Sequence, residues 1–175
     1  MTAAPDMRLA APTAGEARET ASISGNSAFV CLPMQRGDLD DVTSLEHRVY
    51  SHPWTRGNFQ DSLDSGYQCW IARDTDEKLA GYFLLMMMPD EAHLLNITVA
   101  PCWQGHGLGR LLMARAFRIA ADFATPAVLL EVRPSNPHAL AVYRHVGFCQ
   151  IAIRKNYYPA ADDRREDAIV MRIAL

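Results

Sequence analysis

Apolar and polar positions change their spacing several times along this chain, and each change marks an element. "AFVCLPM" (28–34) is an apolar run of strand length. "GDLDDVTSLEHRVY" then places Leu39, Val42, Leu45 and Val49 three or four residues apart, which predicts a helix with Asp38 as its N-cap. "HPWTRGNFQDSLDSG" predicts a second short helix, capped by Thr55 and ended near Gly66. "YQCWIARD" and "KLAGYFLLMMM" read as a hairpin around "DTDEK", and "AHLLNITVA" as a further strand. A helical stripe of Leu108, Leu111, Leu112, Ala116, Ile119 and Phe123 follows, with Arg110 and Arg118 off it. "AVLLEVR" is a strand, "NPHALAVYRHV" a short helix ended by Gly147, and "FCQIAIRKNYY" another strand. "PAADDRRE" is a polar loop and "DAIVMRIAL" the last strand.

The order β-α-α-β-β-β-α-β-α-β-β predicts a mixed α/β (α+β) sheet of about seven strands with helices on both faces. Residues 1–27, rich in Ala, Thr, Ser, Gly and Pro, show no apolar period. Such a stretch buries too little surface to offset its ordering entropy, so it is expected to be a disordered and dispensable extension before a domain over 28–175.

Composition narrows the field of functions. The 175 residues suit one domain with a full core, and the formal net charge of −3 supplies no basic field for nucleic acid. Cys31, Cys69, Cys102 and Cys149 are scattered without a CxxC pair, so they read as reduced and mostly buried thiols rather than metal ligands or a disulfide framework. His47, His52, His93, His138 and His145 show no metal-ligand spacing, and Met86 to Met88 read as strand core. No apolar run reaches the roughly 18 residues of a membrane span, and the start lacks the order of a secretory signal. A cytoplasmic monomer or weak dimer, with no membrane or direct nucleic-acid contact and no metal, is the expectation.

The stretch "VAPCWQGHGLGRLLM" carries the first chemistry. Glycines before a helix let an anion approach free backbone N–H groups. A P-loop requires Lys and then Ser or Thr after its last glycine, whereas Arg110 and Leu111 follow Gly109. A dinucleotide fingerprint starting at Gly105 requires a glycine where Arg110 stands. What remains is Gln104-x-x-Gly107-x-Gly109 between a strand and an amphipathic helix.

In that context the sequence resembles the GCN5-related N-acetyltransferase superfamily, whose motif of Gln or Arg, x-x-Gly-x-Gly or Ala binds the pyrophosphate of acetyl-coenzyme A. "LLEVRPSNPHALAVYRHVGF" and "IRKNYYPAADDRREDAIVM" further resemble its ribosomal-protein-alanine N-acetyltransferase branch. The resemblance covers about 28–175 and is closest from Asn96 onward. The leader and one extra residue in "AADDRRED" depart from it, the second bearing on substrate contacts and not on the cofactor site.

The resemblance implies acetyl-coenzyme A as cofactor, held by Gln104, Gly105, His106, Gly107, Leu108, Gly109 and Arg110. Backbone groups of Ile97, Thr98 and Val99, together with Asn136 and Tyr143, complete that set. His106 fills a position the motif leaves open and has no catalytic role. Asn136 is also a good N-cap, with Pro137 in the first turn.

Acetyl transfer to an amine needs a base, donors for a thioester carbonyl and an acid for the departing thiolate. Glu131 lies inside an apolar strand, where partial desolvation would make its carboxylate a better base. The resemblance makes it the group that activates the amine, directly or through a water; the alternative is a strand carboxylate paired with Arg133 or Arg154. Tyr143 falls at the family's acid, the alternative being a tyrosine that packs against the sheet. Pro53, Trp54, Tyr157 and Tyr158 resemble the branch's peptide-side residues, or else pack under a loop. Glu91, Asp162 and Asp163 could attract a basic N-terminal peptide.

The implied activity is direct acetylation of the N-terminal alanine of a small-subunit ribosomal protein, with no covalent cysteine intermediate. Small-amine acetylation and a non-catalytic acyl-coenzyme A sensor are the alternatives.

Overall fold

The computed structural model describes residues 19–23, 27–160, 162 and 164–175. In chain order it places β1 (Glu19–Ile23), β2 (Ser27–Pro33), α1 (Leu39–Val49), α2 (Arg56–Asp64), β3 (Gln68–Arg73), β4 (Leu79–Met87) and β5 (Ala92–Val99). They are followed by α3 (Leu108–Asp122), β6 (Ala127–Val132), α4 (Pro137–Val146), β7 (Cys149–Pro159) and β8 (Arg165–Ala174). The strands make one sheet in the order β1-β2-β3-β4-β5-β6-β8-β7. Among the described strands only β5 and β6 pair in parallel; every other pair is antiparallel.

Consecutive side chains of a strand point to opposite faces, and β4 shows why its run is continuously apolar. Tyr82 and Leu84 pack with Leu39, Val42, Leu45 and Phe59 under α1 and α2. Phe83 and Leu85 pack with Leu112, Ala116, Leu130 and Leu140 under α3 and α4. Both faces are covered, so no position of that strand needs to be polar. Gly81 is fixed by closeness: a Cβ there would lie 2.7 Å from the Thr98 carbonyl oxygen and 3.0 Å from Leu112.

Three expectations are corrected. The sheet has eight strands, because Glu19–Ile23 pairs antiparallel with β2 inside the stretch expected to be disordered. The open edge of β2 offers backbone partners that a reading of apolar period does not register. The rest of that stretch up to Asn26, 1–18 and 24–26, lies outside the described residues. Asp38 does precede α1 but does not cap it. The chain enters through a short 3₁₀ turn (Arg36–Asp38), where the Asp38 carboxylate accepts the Gln35 N–H at 2.8 Å and Arg73 Nη2 at 2.7 Å. Cys31 and Cys69 are buried, whereas Cys102 and Cys149 are exposed. Thr55 and Asn136 cap as expected, accepting the N–H of Asn58 and Ala139 at 3.3 and 3.1 Å.

Candidate active site

The glycine corner forms where β5 ends. A 3₁₀ turn (Pro101–Trp103) leads into Gly105 and Gly107, with φ of +77° and +93°. Gly107 is the N-cap of α3, a left-handed position that a side chain would strain. Its carbonyl accepts the N–H of Arg110 and Leu111 at 3.1 and 3.2 Å. The N–H groups of Leu108 and Gly109, in the first turn, have no acceptor within the helix by its geometry. Two side chains brace the loop. Gln104 Nε2 donates to the Val99 carbonyl at 3.1 Å, and His106 Nδ1 meets the Gln104 carbonyl at 2.8 Å. Because a carbonyl only accepts, the proton of that contact sits on Nδ1.

Strands β5 and β6 pair over only three positions, ending at Leu94 and Leu130. Beyond them β5 stays with β4 as far as Val99 and β6 stays with β8 as far as Val132. The strands therefore part, and a cleft of about 550 Å³ opens between them. Ile97, Glu131, Asn136, Tyr143, Trp54 and Tyr158 all line it, and they come from five segments of the chain. The glycine loop lies outside this lining, past the end of β5.

Glu131 is the first β6 residue after the pairing ends, and its side chain is 7% exposed. Both alternatives read from the sequence bear on it. Arg154 Nη1 stands 2.8 Å from Oε1, close enough for an ion pair but without hydrogen-bond alignment. Arg133 pairs elsewhere: it donates to Glu166 at 3.2 Å and to the Pro159 carbonyl at 2.9 Å, and stacks 4.2 Å over Tyr158. Tyr143 both packs and faces the cleft, with Phe148 5.8 Å away ring to ring. Burial pushes its phenol well above the ordinary value of 10.0, so it keeps its proton.

The remaining candidates divide. Thr98 turns its side chain inward, 2% exposed, onto Asn96 and the Tyr50 hydroxyl, and its carbonyl lies on the β4 side, beside Gly81. Trp54 lines the cleft and stacks on Phe59, while Pro53 stands beside it outside the lining. Tyr158 is in the cleft; Tyr157 packs edge-on against it and is exposed. Glu91 is not in the lining and faces Arg172 at 3.7 Å. Asp162 is exposed on the β7–β8 hairpin beside Arg164, and Asp163 lies outside the described residues.

Sequence reading missed a buried network beside the cleft. Glu46, 2% exposed, accepts the Trp54 N–H at 3.0 Å and Asn96 Nδ2 at 3.3 Å on one oxygen, and the Tyr82 hydroxyl on the other. Burial, and then the Glu46 charge, hold the Tyr82 phenol far above the tyrosine range. Tyr50 reaches the Ile97 carbonyl at 3.3 Å. Glu46 does carry a signal in the sequence, since it adjoins Leu45 on the apolar side of a helix.

The Acetyltransferase (GNAT) family model matches residues 39–148. The chain belongs to the GNAT acetyltransferase family. It is therefore an acyltransferase, and its sheet is the GNAT sheet. It is 34% identical over 142 residues to the [ribosomal protein bS18]-alanine N-acetyltransferase of Escherichia coli strain K12, covering 81% of this chain and 95% of that one. The enzyme of the same name from Haemophilus ducreyi is 32% identical over 138 residues, 79% of this chain and 94% of the other. The crystal structure of the E. coli ribosomal-protein-S18-alanine N-acetyltransferase superposes with a TM-score of 0.76 at 32% identity, over 83% of this chain and 93% of that one.

GNAT acetyltransferases use acetyl-coenzyme A, and the residues here fit that donor. The left-handed glycines leave first-turn N–H groups facing outward for a pyrophosphate. Among the described residues no strand pairs with β5 on its β6 side from Leu95 to Val99, so that edge is open to an extended, amide-bearing arm.

Proposed function

We propose that this GNAT enzyme transfers an acetyl group from acetyl-coenzyme A to the N-terminal alanine amine of ribosomal protein bS18. The observation that carries this reading is the shared cleft: a buried carboxylate and a proton-retaining phenol flank the open edge of β5. The names of relatives covering most of the chain support the acceptor. The catalytic unit is the domain over 28–175, with β1 as an added edge strand, and it works as a monomer or weak dimer. A ribosomal-protein substrate sets the reaction in the cytoplasm.

Bound acetyl-coenzyme A supplies the activated acetyl group. Backbone N–H groups between Gly105 and Arg110 hold its pyrophosphate, and the Ile97–Val99 backbone and Asn136 guide the rest. Gln104 and His106 act on that loop from within, by the bonds that keep its shape. An ammonium has no free lone pair, so Glu131 takes up the amine's proton, directly or through a water. The Tyr143 hydroxyl then gives its own proton to the departing sulfur. Trp54 and Tyr158 wall the acceptor's entry, with Pro53 and Tyr157 behind them, and the chain forms no covalent intermediate. Burial pushes the Cys69 thiol up to about 12, which leaves it protonated and a poor nucleophile.

The test is incubation with acetyl-coenzyme A and an alanine-starting bS18 peptide, read by mass spectrometry. One acetyl group on the α-amine is expected. An unmodified peptide alongside rapid turnover of small amines such as spermidine overturns the reading.

A further inference from the structure

Glu131 has a partner that lies outside the cleft. His93 stands on β5 in the paired segment just before the strands part, in register with Leu129. Glu131, two residues beyond Leu129, points to the same face of the sheet. The imidazole therefore meets the carboxylate across the vertex of the opening. His93 Nε2 is 2.7 Å from Glu131 Oε2, and the two side chains are 11% and 7% exposed. His93 is absent from the cleft lining, whereas Glu131 is part of it.

The two oxygens of Glu131 are held differently. Oε2 is fixed from behind by an imidazole inside the sheet. Against a carboxylate acceptor the proton of that bond belongs on His93 Nε2, as the hydrogen-bond partners assign it. Oε1 has no hydrogen-bond partner among the described residues and meets the guanidinium of Arg154, whose side chain is 49% exposed and unaligned for a hydrogen bond. An exposed cation on a long side chain is readily displaced. The position it occupies is one that another cation, such as an acceptor ammonium, can take.

We propose that His93 is a positioning residue: its Nε2–H anchors Oε2 of Glu131 and so presents Oε1 to the acceptor amine. This rests on the catalytic reading of Glu131 above. His93 itself touches neither substrate. It fixes the rotation of the carboxylate, so the oxygen that receives the proton is already aimed when the amine arrives. In the opposite case the pair is only a structural bond of the sheet, and the rate does not depend on it.

The experiment measures acetylation of the alanine-starting peptide by the full chain in five forms: unaltered, His93→Leu, His93→Gln, Glu131→Gln, and the double variant Glu131→Gln/His93→Leu. Calorimetry of coenzyme A binding reports on the fold of each. His93→Leu is expected to lower kcat about tenfold to a hundredfold, the worth of a hydrogen bond to a charged group. The peptide KM and the coenzyme A Kd stay within about twofold. His93→Gln, whose amide can donate to the same oxygen, recovers most of the rate. In the Glu131→Gln background His93→Leu costs nothing more, because its effect runs through that carboxylate.

Full kcat in His93→Leu with a crippled Glu131→Gln overturns the inference and leaves the catalytic reading standing. Independent losses that multiply in the double variant also overturn it. Full activity of Glu131→Gln overturns the catalytic reading itself. If His93→Leu fails to bind coenzyme A, the comparison passes to His93→Gln and His93→Asn: a rate kept by the longer amide and lost by the shorter supports anchoring, and equal rates overturn it.

Discussion

The glycine loop and the cleft between β5 and β6 share strand β5 and are built in opposite ways. The loop is six consecutive residues, Gln104 to Gly109, whose proposed working groups are backbone N–H. The cleft gathers side chains from α1, the segment before α2, β5, β6, α4 and the β7–β8 hairpin. A backbone site depends on conformation, which here rests on two left-handed glycines and on the bonds of Gln104 and His106. A side-chain site depends on register, since a carboxylate one residue earlier on β6 would point into the opposite core. The two regions therefore fail differently when altered.

The largest effect is expected at the loop. Gly107→Val puts a β-branched residue at φ +93°, a strain of about 1–3 kcal/mol that the helix start relieves only by moving its N–H groups. Calorimetry should show coenzyme A binding abolished, while thermal unfolding still reports a cooperative domain. Unchanged binding would break the contrast, because the loop would then not be a backbone site.

Altering the cleft should spare binding and slow chemistry. Glu131→Gln is expected to reduce kcat by roughly 10²–10⁴-fold with coenzyme A affinity near normal. Tyr143→Phe should follow the same pattern with a smaller loss. Because burial raises the Tyr143 phenol above 10.0, it stays protonated through the working range. The rate–pH profile should thus show no falling limb below pH 10 that Tyr143→Phe removes; finding one would reassign the acid.

Gly81→Ala sharpens the comparison from the fold. Its Cβ would meet the Thr98 carbonyl oxygen at 2.7 Å, where β4 supports the free part of β5. A loss of about 1–3 kcal/mol in chemical denaturation is expected. Coenzyme A binding should suffer with it, since β5 serves both regions.

The smallest effect concerns the hairpin that walls the cleft. Burial raises the Glu166 carboxyl, but the Ser135 N–H at 2.7 Å, its hydroxyl at 2.9 Å and Arg133 outweigh it and hold the group below its ordinary 4.5. With the folded value depressed, its stabilising contribution is complete above pH 4.5 and lost as pH falls through the lower value. Thermal unfolding of Glu166→Gln should show a melting temperature a few degrees lower at pH 7, converging with the unaltered chain in acid. Parallel curves at every pH would remove Glu166 from this role.

How much was legible follows the same division. The seven main strands, all four helices, two of the three caps and the glycine loop could be read because each is a local string. Of the pairings read for Glu131 the structure has the one with Arg154, and the same residue lines the cleft, the place its proposed role as base requires. His93 was set aside for want of ligand spacing, although 38 residues along the chain from it stands the carboxylate it binds. Glu46 stood unremarked in a helical pattern, and Glu91 was given a substrate role although it sits with Arg172.

The sequence by itself determined the seven main strands, the four helices, their faces and the glycine turn before α3, because propensity, apolar period and glycine conformation act over a few residues. Only the tertiary structure decided where β5 and β6 part, which oxygen of Glu131 meets His93 and which meets Arg154, and which aromatics line the cleft. Those depend on the register of strands far apart in the chain, which no local pattern encodes.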